Sequence, residues 1–188
     1  TITRNFQIVS AQNTPTPAPV SKTFKDAYNT YTVNKTGTSV TLKKPNSKVI
    51  ITATIPSSVK ANGKTYKVTA IAPNAFKNCR KLKQATISKN VSSIGSGAFQ
   101  GCSSLRTLKI GSKVSSIGAK AFYDCKALTS VTIQSKKLTS VSVGKSAFAK
   151  AGRNNYKKLM VKVPKSRLSA YKKLLKAKGL SSKTKVTK

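Results

Sequence analysis

Ile94-Gly95-Ser96-Gly97-Ala98-Phe99-Gln100-Gly101-Cys102-Ser103-Ser104-Leu105 decides how this chain is built, because its apolar skeleton recurs on both sides at constant spacing. Read as Ile-x4-Phe-x2-Cys-x2-Leu, the pattern runs Ile71, Phe76, Cys79, Leu82, then Ile94, Phe99, Cys102, Leu105, then Ile117, Phe122, Cys125, Leu128. Each step is 23 residues, and Ile87, Ile110 and Ile133 keep the same step in a second apolar cluster. A unit this short cannot bury its own apolar face, but stacked on its neighbours it can, and the product is an elongated solenoid. The fold class read from the period is an α/β repeat solenoid. Its extended surface suits binding or scaffolding more than catalysis.

Within each repeat, Leu-x2-(Ala/Leu/Val)-x-Ile predicts a strand and Ala-Phe-x2-Cys a short helical turn on the opposite side, with Gly95 and Gly118 at the bend. After Ile133 the register slips. Phe148 lies 26 residues beyond Phe122, which puts a three-residue insertion around Lys136-Lys137-Leu138. The divergent last repeat predicts a strand over 159–163 ended by Pro164. A helix capped by Ser166 then runs to about Lys178, with Leu168, Tyr171, Leu174 and Leu175 on one face and Gly179 as its stop.

Upstream, Tyr31 and Val33, Val40 and Leu42, and Val49 and Ile51 alternate with polar residues between turn signals at Thr36-Gly37 and Pro45-Asn46. They predict antiparallel strands. Asn62-Gly63 between Val59 and Tyr66 is a type I′ hairpin signal. The expected organisation is a Pro/Thr linker over 1–21 and a repeat domain over 22–188. That domain divides into a β-rich N-terminal cap at 22–70, repeats at 71–163 and a helical C-terminal cap at 164–188. Caps of this kind cover the open edges that would otherwise recruit other chains.

The charge balance narrows the partners. Lys+Arg number 37 against Asp+Glu 2, a formal charge of +35, so the surface attracts polyanions. No apolar run reaches the roughly 18 residues of a membrane-spanning helix. The chain begins at Thr1 without a hydrophobic leader core, so it is expected to be a processed or shortened product, with any targeting segment outside it. Cys79, Cys102 and Cys125 share one repeat position and are expected to form a buried column. Parallel Cβ vectors suit a disulfide poorly, and no Cys-x2-Cys pair or His completes a metal set.

The blocks Val91 to Cys102 and Val114 to Cys125, with Ile55-Pro56-Ser57-Ser58-Val59 and Tyr66-Lys67-Val68-Thr69 upstream, closely resemble the bacterial BspA-like leucine-rich repeat. The Pro common after the strand Ile in that family is here Ser88, Gly111 or Gln134. The resemblance implies a right-handed leucine-rich repeat stack. It also implies a secreted or surface-anchored bacterial protein, often an adhesion module that contacts host or matrix components, with no single ligand shared across the family.

Two candidate sites follow. If Leu108, Ile110, Val131 and Ile133 point inward, then Thr107, Lys109, Ser130, Thr132 and Gln134 point outward, joined by Gln84, Thr86 and Lys162. They form a polar ladder that is either a ligand face or a solvated sheet. The segment 150–188 holds 14 Lys/Arg and no acid, and Lys172, Lys173 and Lys176 are expected opposite the Leu face of the helix as a basic patch. Gly95-x-Gly97-x3-Gly101 has the wrong spacing for a phosphate loop and reads as a turn of the repeat. Phe76, Phe99, Phe122 and Phe148 read as core, so nucleic acid is expected to bind only weakly, non-specifically and with strong salt dependence.

With no His, no Glu and only Asp26 and Asp124, the chain lacks a paired-carboxylate mechanism and is expected not to be an enzyme and to need no cofactor. The expected function is a monomeric, secreted or cell-surface module for protein or glycan binding and adhesion. Its partner would be an acidic macromolecule: a host matrix protein, an acidic glycan or a cell-wall polymer. The alternative is a structural spacer or scaffold held electrostatically on the anionic wall.

Overall fold

The structure is a computed structural model and describes residues 23–188; the linker expected at 1–21 lies outside the described residues. In chain order the elements begin with β1 (Thr23–Lys25), β2 (Asn29–Val33), β3 (Ser39–Pro45), β4 (Thr52–Ile55), β5 (Ser58–Ala61) and β6 (Lys64–Ile71). Then follow β7 (Gln84–Ile87), β8 (Ser93–Ile94), β9 (Thr107–Ile110), β10 (Ser116–Ile117), β11 (Ser130–Ile133) and β12 (Met160–Lys162). A 3₁₀ turn (Lys165–Arg167), α1 (Leu168–Ala177) and β13 (Lys185–Thr187) complete the chain.

Two sheets run along the stack. The ladder sheet has the order β13-β12-β11-β9-β7-β4, with every pair parallel. The second sheet has the order β1-β2-β3-β6-β8-β10, with β5 paired to β6. Each 23-residue unit therefore contributes one strand to the ladder sheet and a two-residue strand to the other. Six strands in one parallel sheet are the six rungs of a leucine-rich repeat stack, as the period requires.

Between the sheets the apolar side chains meet their own copies. Phe76 and Phe99 stack with centroids 4.9 Å apart at 2°, Phe99 and Phe122 at 5.4 Å and 13°, and Phe122 and Phe148 at 5.3 Å and 22°. All four rings are buried, so this stripe is core. Beside it the three thiols form their own column. Cys102 Sγ donates to Phe76 O at 3.1 Å and Cys125 Sγ to Phe99 O at 3.2 Å, each across one rung. Burial pushes the Cys102 thiol up to about 12 and moves Cys79 and Cys125 in the same direction. The thiolate is the reactive species. All three cysteines are thus expected to resist a disulfide reagent at pH 8 in the folded chain and to react within seconds in 6 M guanidinium; rapid reaction of native protein would mean that the rungs open.

Three expectations are corrected. The Ala-Phe-x2-Cys segment is not a helical turn. Each copy holds two residues at positive φ, namely Asn74 and Asn78, Gly97 and Gly101, Lys120 and Asp124, and, after the slip, Ser146 and Lys150. A left-handed residue at every fourth position prevents helical propagation. The freed N–H groups bond across rungs instead: Phe76 N to Ala98 O at 2.7 Å, Phe99 N to Ala121 O at 2.8 Å and Phe122 N to Ala147 O at 2.8 Å.

Secondly, the strands between 30 and 71 are not all antiparallel. β1–β2, β2–β3 and the β5–β6 hairpin are, the last through Asn62 (φ 49°) and Gly63 (φ 73°) as the type I′ signal predicts. However, β3–β6 and β4–β7 are parallel. Val49 and Ile51 are 63% and 57% exposed, and the buried phase belongs to Ala53 and Ile55, which pair with Ala85 and Ile87. Alternation marks a half-buried strand but carries no information about its partner's direction.

Thirdly, Ser166 caps nothing. Pro164 opens the 3₁₀ turn, Arg167 N donates to Pro164 O at 2.8 Å, and α1 begins at Leu168 without a side-chain cap. Burial of Tyr171, Leu174 and Leu175 holds the helix instead. The insertion explains how the cap docks. Tyr171 OH accepts from Leu138 N and donates to Ser135 O, both at 3.0 Å, while Arg167 Nη2 donates to Leu138 O at 3.2 Å.

Candidate functional site

The parallel register turns the alternating strand residues into two outward columns. One runs Thr52, Gln84, Thr107, Ser130, Met160, Lys185; the other runs Thr54, Thr86, Lys109, Thr132, Lys162, Thr187. Strands about 4.8 Å apart make each column about 24 Å long. Of the residues expected on the ladder, Gln84, Thr107, Lys109, Ser130 and Lys162 are exposed and Thr86 and Thr132 half-buried, all within the two columns. Gln134 lies past the end of β11, exposed, with its N–H on Ile110 O at 2.9 Å, so it flanks the face.

Sequence reasoning missed five ladder members. Thr52 and Thr54 precede Ile55 as Gln84 and Thr86 precede Ile87, a signal that was there to be read. Met160 sits opposite Ser130, and its 40% exposed side chain gives the column an apolar contact. Lys185 and Thr187 belong to β13, whose three residues carry too short a pattern to announce a strand.

The structure splits the expected basic patch. Lys172 and Lys176, one helical turn apart, face a groove of about 800 Å³ between α1 and β13. Lys173 lies about 100° further round the helix. It lines a separate, largely apolar groove of about 350 Å³ with Leu138, Tyr171 and Leu174.

Neither carboxylate reaches these surfaces. Asp26 accepts from Tyr28 N at 2.8 Å, Asn29 N at 2.6 Å and Tyr31 OH at 2.9 Å, which fixes the β1–β2 turn. Burial and then the bond to Asp26 push the Tyr31 phenol upward. Asp124 pairs with Arg153 at 2.9 Å. Among the described residues no group of three or more His, Cys, Asp or Glu side chains is placed to hold a metal ion. No helix among them is long and apolar enough to cross a membrane.

Residues 69–175 match, in six copies, the family described as the BspA type leucine rich repeat region. The chain belongs to this family. Among solved structures, a leucine-rich repeat protein from Bacteroides capillosus ATCC 29799 is 31% identical to this BspA-type chain, with a TM-score of 0.55 over 63% of this chain and 88% of that one. The leucine rich repeat protein of T. pallidum shares the fold at a TM-score of 0.61 and 21% identity, over 74% of this chain and 71% of its own. A leucine rich cell surface protein from Faecalibacterium prausnitzii A2-165 does so at 0.53 and 22%, over 77% of this chain and 46% of its own. No curated protein matches the chain.

Proposed function

We propose that this BspA-type chain is a non-catalytic binding module displayed on a bacterial surface, and that its ladder face takes an acidic macromolecule. Leucine-rich repeat proteins of bacterial surface type generally bind proteins, through the long faces that stacking creates. A leucine rich cell surface protein is among the chains that share the fold, which agrees with surface display. The observation that carries the acidic partner is the composition of the two columns. Lys109, Lys162 and Lys185 stand on a face otherwise made of Thr, Ser, Gln and Met, and no carboxylate is there to neutralise them. Short side chains let a partner lie close to the sheet while the lysines set its sign. A matrix protein with an acidic surface, an acidic glycan and an anionic wall polymer all meet that requirement.

The spacer reading draws on a different observation, a charge of +35 spread over the whole chain. The two readings separate by mutation. Lys109→Glu/Lys162→Glu is expected to weaken the partner retained at near-physiological salt by roughly tenfold, about 1.4 kcal/mol. A charge-matched pair on the second-sheet side, Lys60→Glu/Lys145→Glu, should change it less than about twofold, since exposed charges beyond a Debye length are screened. The check is surface plasmon resonance against acidic glycans, wall polymers, matrix proteins and DNA. Equal loss in both variants would favour electrostatic retention over a shaped face.

A further inference from the structure

Where the ladder sheet ends, the groove between α1 and β13 brings together groups that lie far apart along the chain. Lys165, Lys172 and Lys176 come from the cap helix side, Lys185 and Lys188 from the last strand and its end, and all five are exposed. No acid occurs anywhere in 150–188 to balance them. Thr184 and Thr187 also line the groove. The Oγ1 atoms of both are buried and have no hydrogen-bond partner, and Thr184 as a whole is only 6% exposed. Unpartnered buried hydroxyls beside a ring of ammonium groups are costly to maintain unless something accepts from them.

We propose that this groove is a binding site for a linear polymer of phosphate diesters joined by polyols, at the end of the ladder face, with which it shares Lys185 and Thr187. Phosphate is the group the lining suits. Lysine ammoniums act on it as point charges, and the Thr184 and Thr187 hydroxyls, closed off in the unliganded chain, donate to its oxygens once their side chains rotate toward the groove. The groove holds no aromatic ring or His on which a nucleobase could stack, so the bases of a nucleic acid gain nothing there. Leu168 and Val186 present apolar surface to the carbon chain between phosphates. With about 800 Å³, the groove has room for more than one phosphate.

The test uses the full chain and poly(glycerol phosphate) as the probe, with oligo-dT of equal phosphate number and heparin as comparators, by titration calorimetry at several salt concentrations. The unmodified chain is expected to bind poly(glycerol phosphate) more tightly than either comparator at near-physiological salt. Lys165→Gln/Lys172→Gln/Lys176→Gln, none of them in a ladder column, should weaken it at least about tenfold. The slope of log K against log salt should fall by about 2, as three lost phosphate contacts require. The charge-matched Lys60→Gln/Lys81→Gln/Lys89→Gln, at exposed positions elsewhere, should cost less than about threefold. Thr184→Val should weaken binding about three- to fivefold with no loss of thermal stability, because it removes a buried hydroxyl that lacks an internal partner. Equal losses in the two triple variants, or tighter binding of oligo-dT or heparin, would overturn the site. Failure of Lys109→Glu/Lys162→Glu to affect other partners would leave it standing.

Discussion

Phe99→Ala is expected to destabilise the chain by about 3–5 kcal/mol, the range for deleting a fully buried ring. Phe99 is completely buried and stacks on both sides, against Phe76 and Phe122. Its removal costs the transfer free energy of the ring, leaves a cavity that fixed rungs cannot collapse, and breaks two ring pairs worth about 0.5–1.5 kcal/mol each. Phe148 ends the stripe and has one ring neighbour, so Phe148→Ala should cost less by about one such pair. For a chain of this size each kcal/mol moves the melting temperature by about 2–4 °C. Differential scanning calorimetry should therefore show a drop of at least about 6 °C for Phe99→Ala and a smaller one for Phe148→Ala. Equal drops would mean that the column gives no stabilisation beyond burial of each ring alone.

The second large effect is a change of sign. Gly118 has an ordinary backbone conformation, and by conformational entropy alone Gly118→Ala would stabilise the chain by about 0.4–1 kcal/mol. The stack reverses that outcome. A Cβ at 118 would lie 2.3 Å from Ser96 N and 2.6 Å from Ser96 Cα, both backbone atoms of the preceding rung. Neither can swing aside as a side chain could, so the rungs must separate locally against the bond from Gly118 N to Ile94 O. A loss of about 3 kcal/mol is expected, at the upper end for overpacking. Gly37, at φ +65° with open space around it, provides the contrast. There Ala meets only the left-handed backbone penalty of about 1–2 kcal/mol. Urea melts of both variants decide the matter: a stabilised Gly118→Ala would mean that the rungs are not in close contact at this point.

Much of the fold was legible because a 23-residue period states the same instruction repeatedly. Ile71, Ile94 and Ile117 each read as core, and so did the Phe and Cys columns, since a position recurring in every rung must meet its own copies. The insertion near Leu138 was visible as a change of spacing. Its purpose was not, because Tyr171 and Ser135 lie 36 residues apart and only docking brings the hydroxyl to the carbonyl. The first rung was obscure for a similar reason. Thr52–Ile55 lacks the Phe and Cys that mark the other copies, and its parallel pairing with Gln84–Ile87 is a long-range choice. The turns were misread as helical although Asn74, Asn78, Gly97, Gly101 and Asp124 are residue types that favour positive φ; Lys120, Ser146 and Lys150 at the matching positions of other copies carry no such signal. That conformation is selected by the bonds between rungs.

By itself the sequence determined the period, the buried columns, the class of fold and the sign of the surface charge, all of which follow from local residue type and spacing. Only the tertiary structure decided which of the outward polar residues stand side by side and which further ones join them. It aligned Lys162 with Thr132 and Thr187, set Lys185 beside Met160, and opened a groove in which Lys172 and Lys176 meet β13 while Lys173 turns away. The physical reason is that alternation and helical phase orient a side chain relative to its own element, whereas its neighbours are chosen by strand register and helix docking. Those are settled by burial of the apolar side chains beneath them.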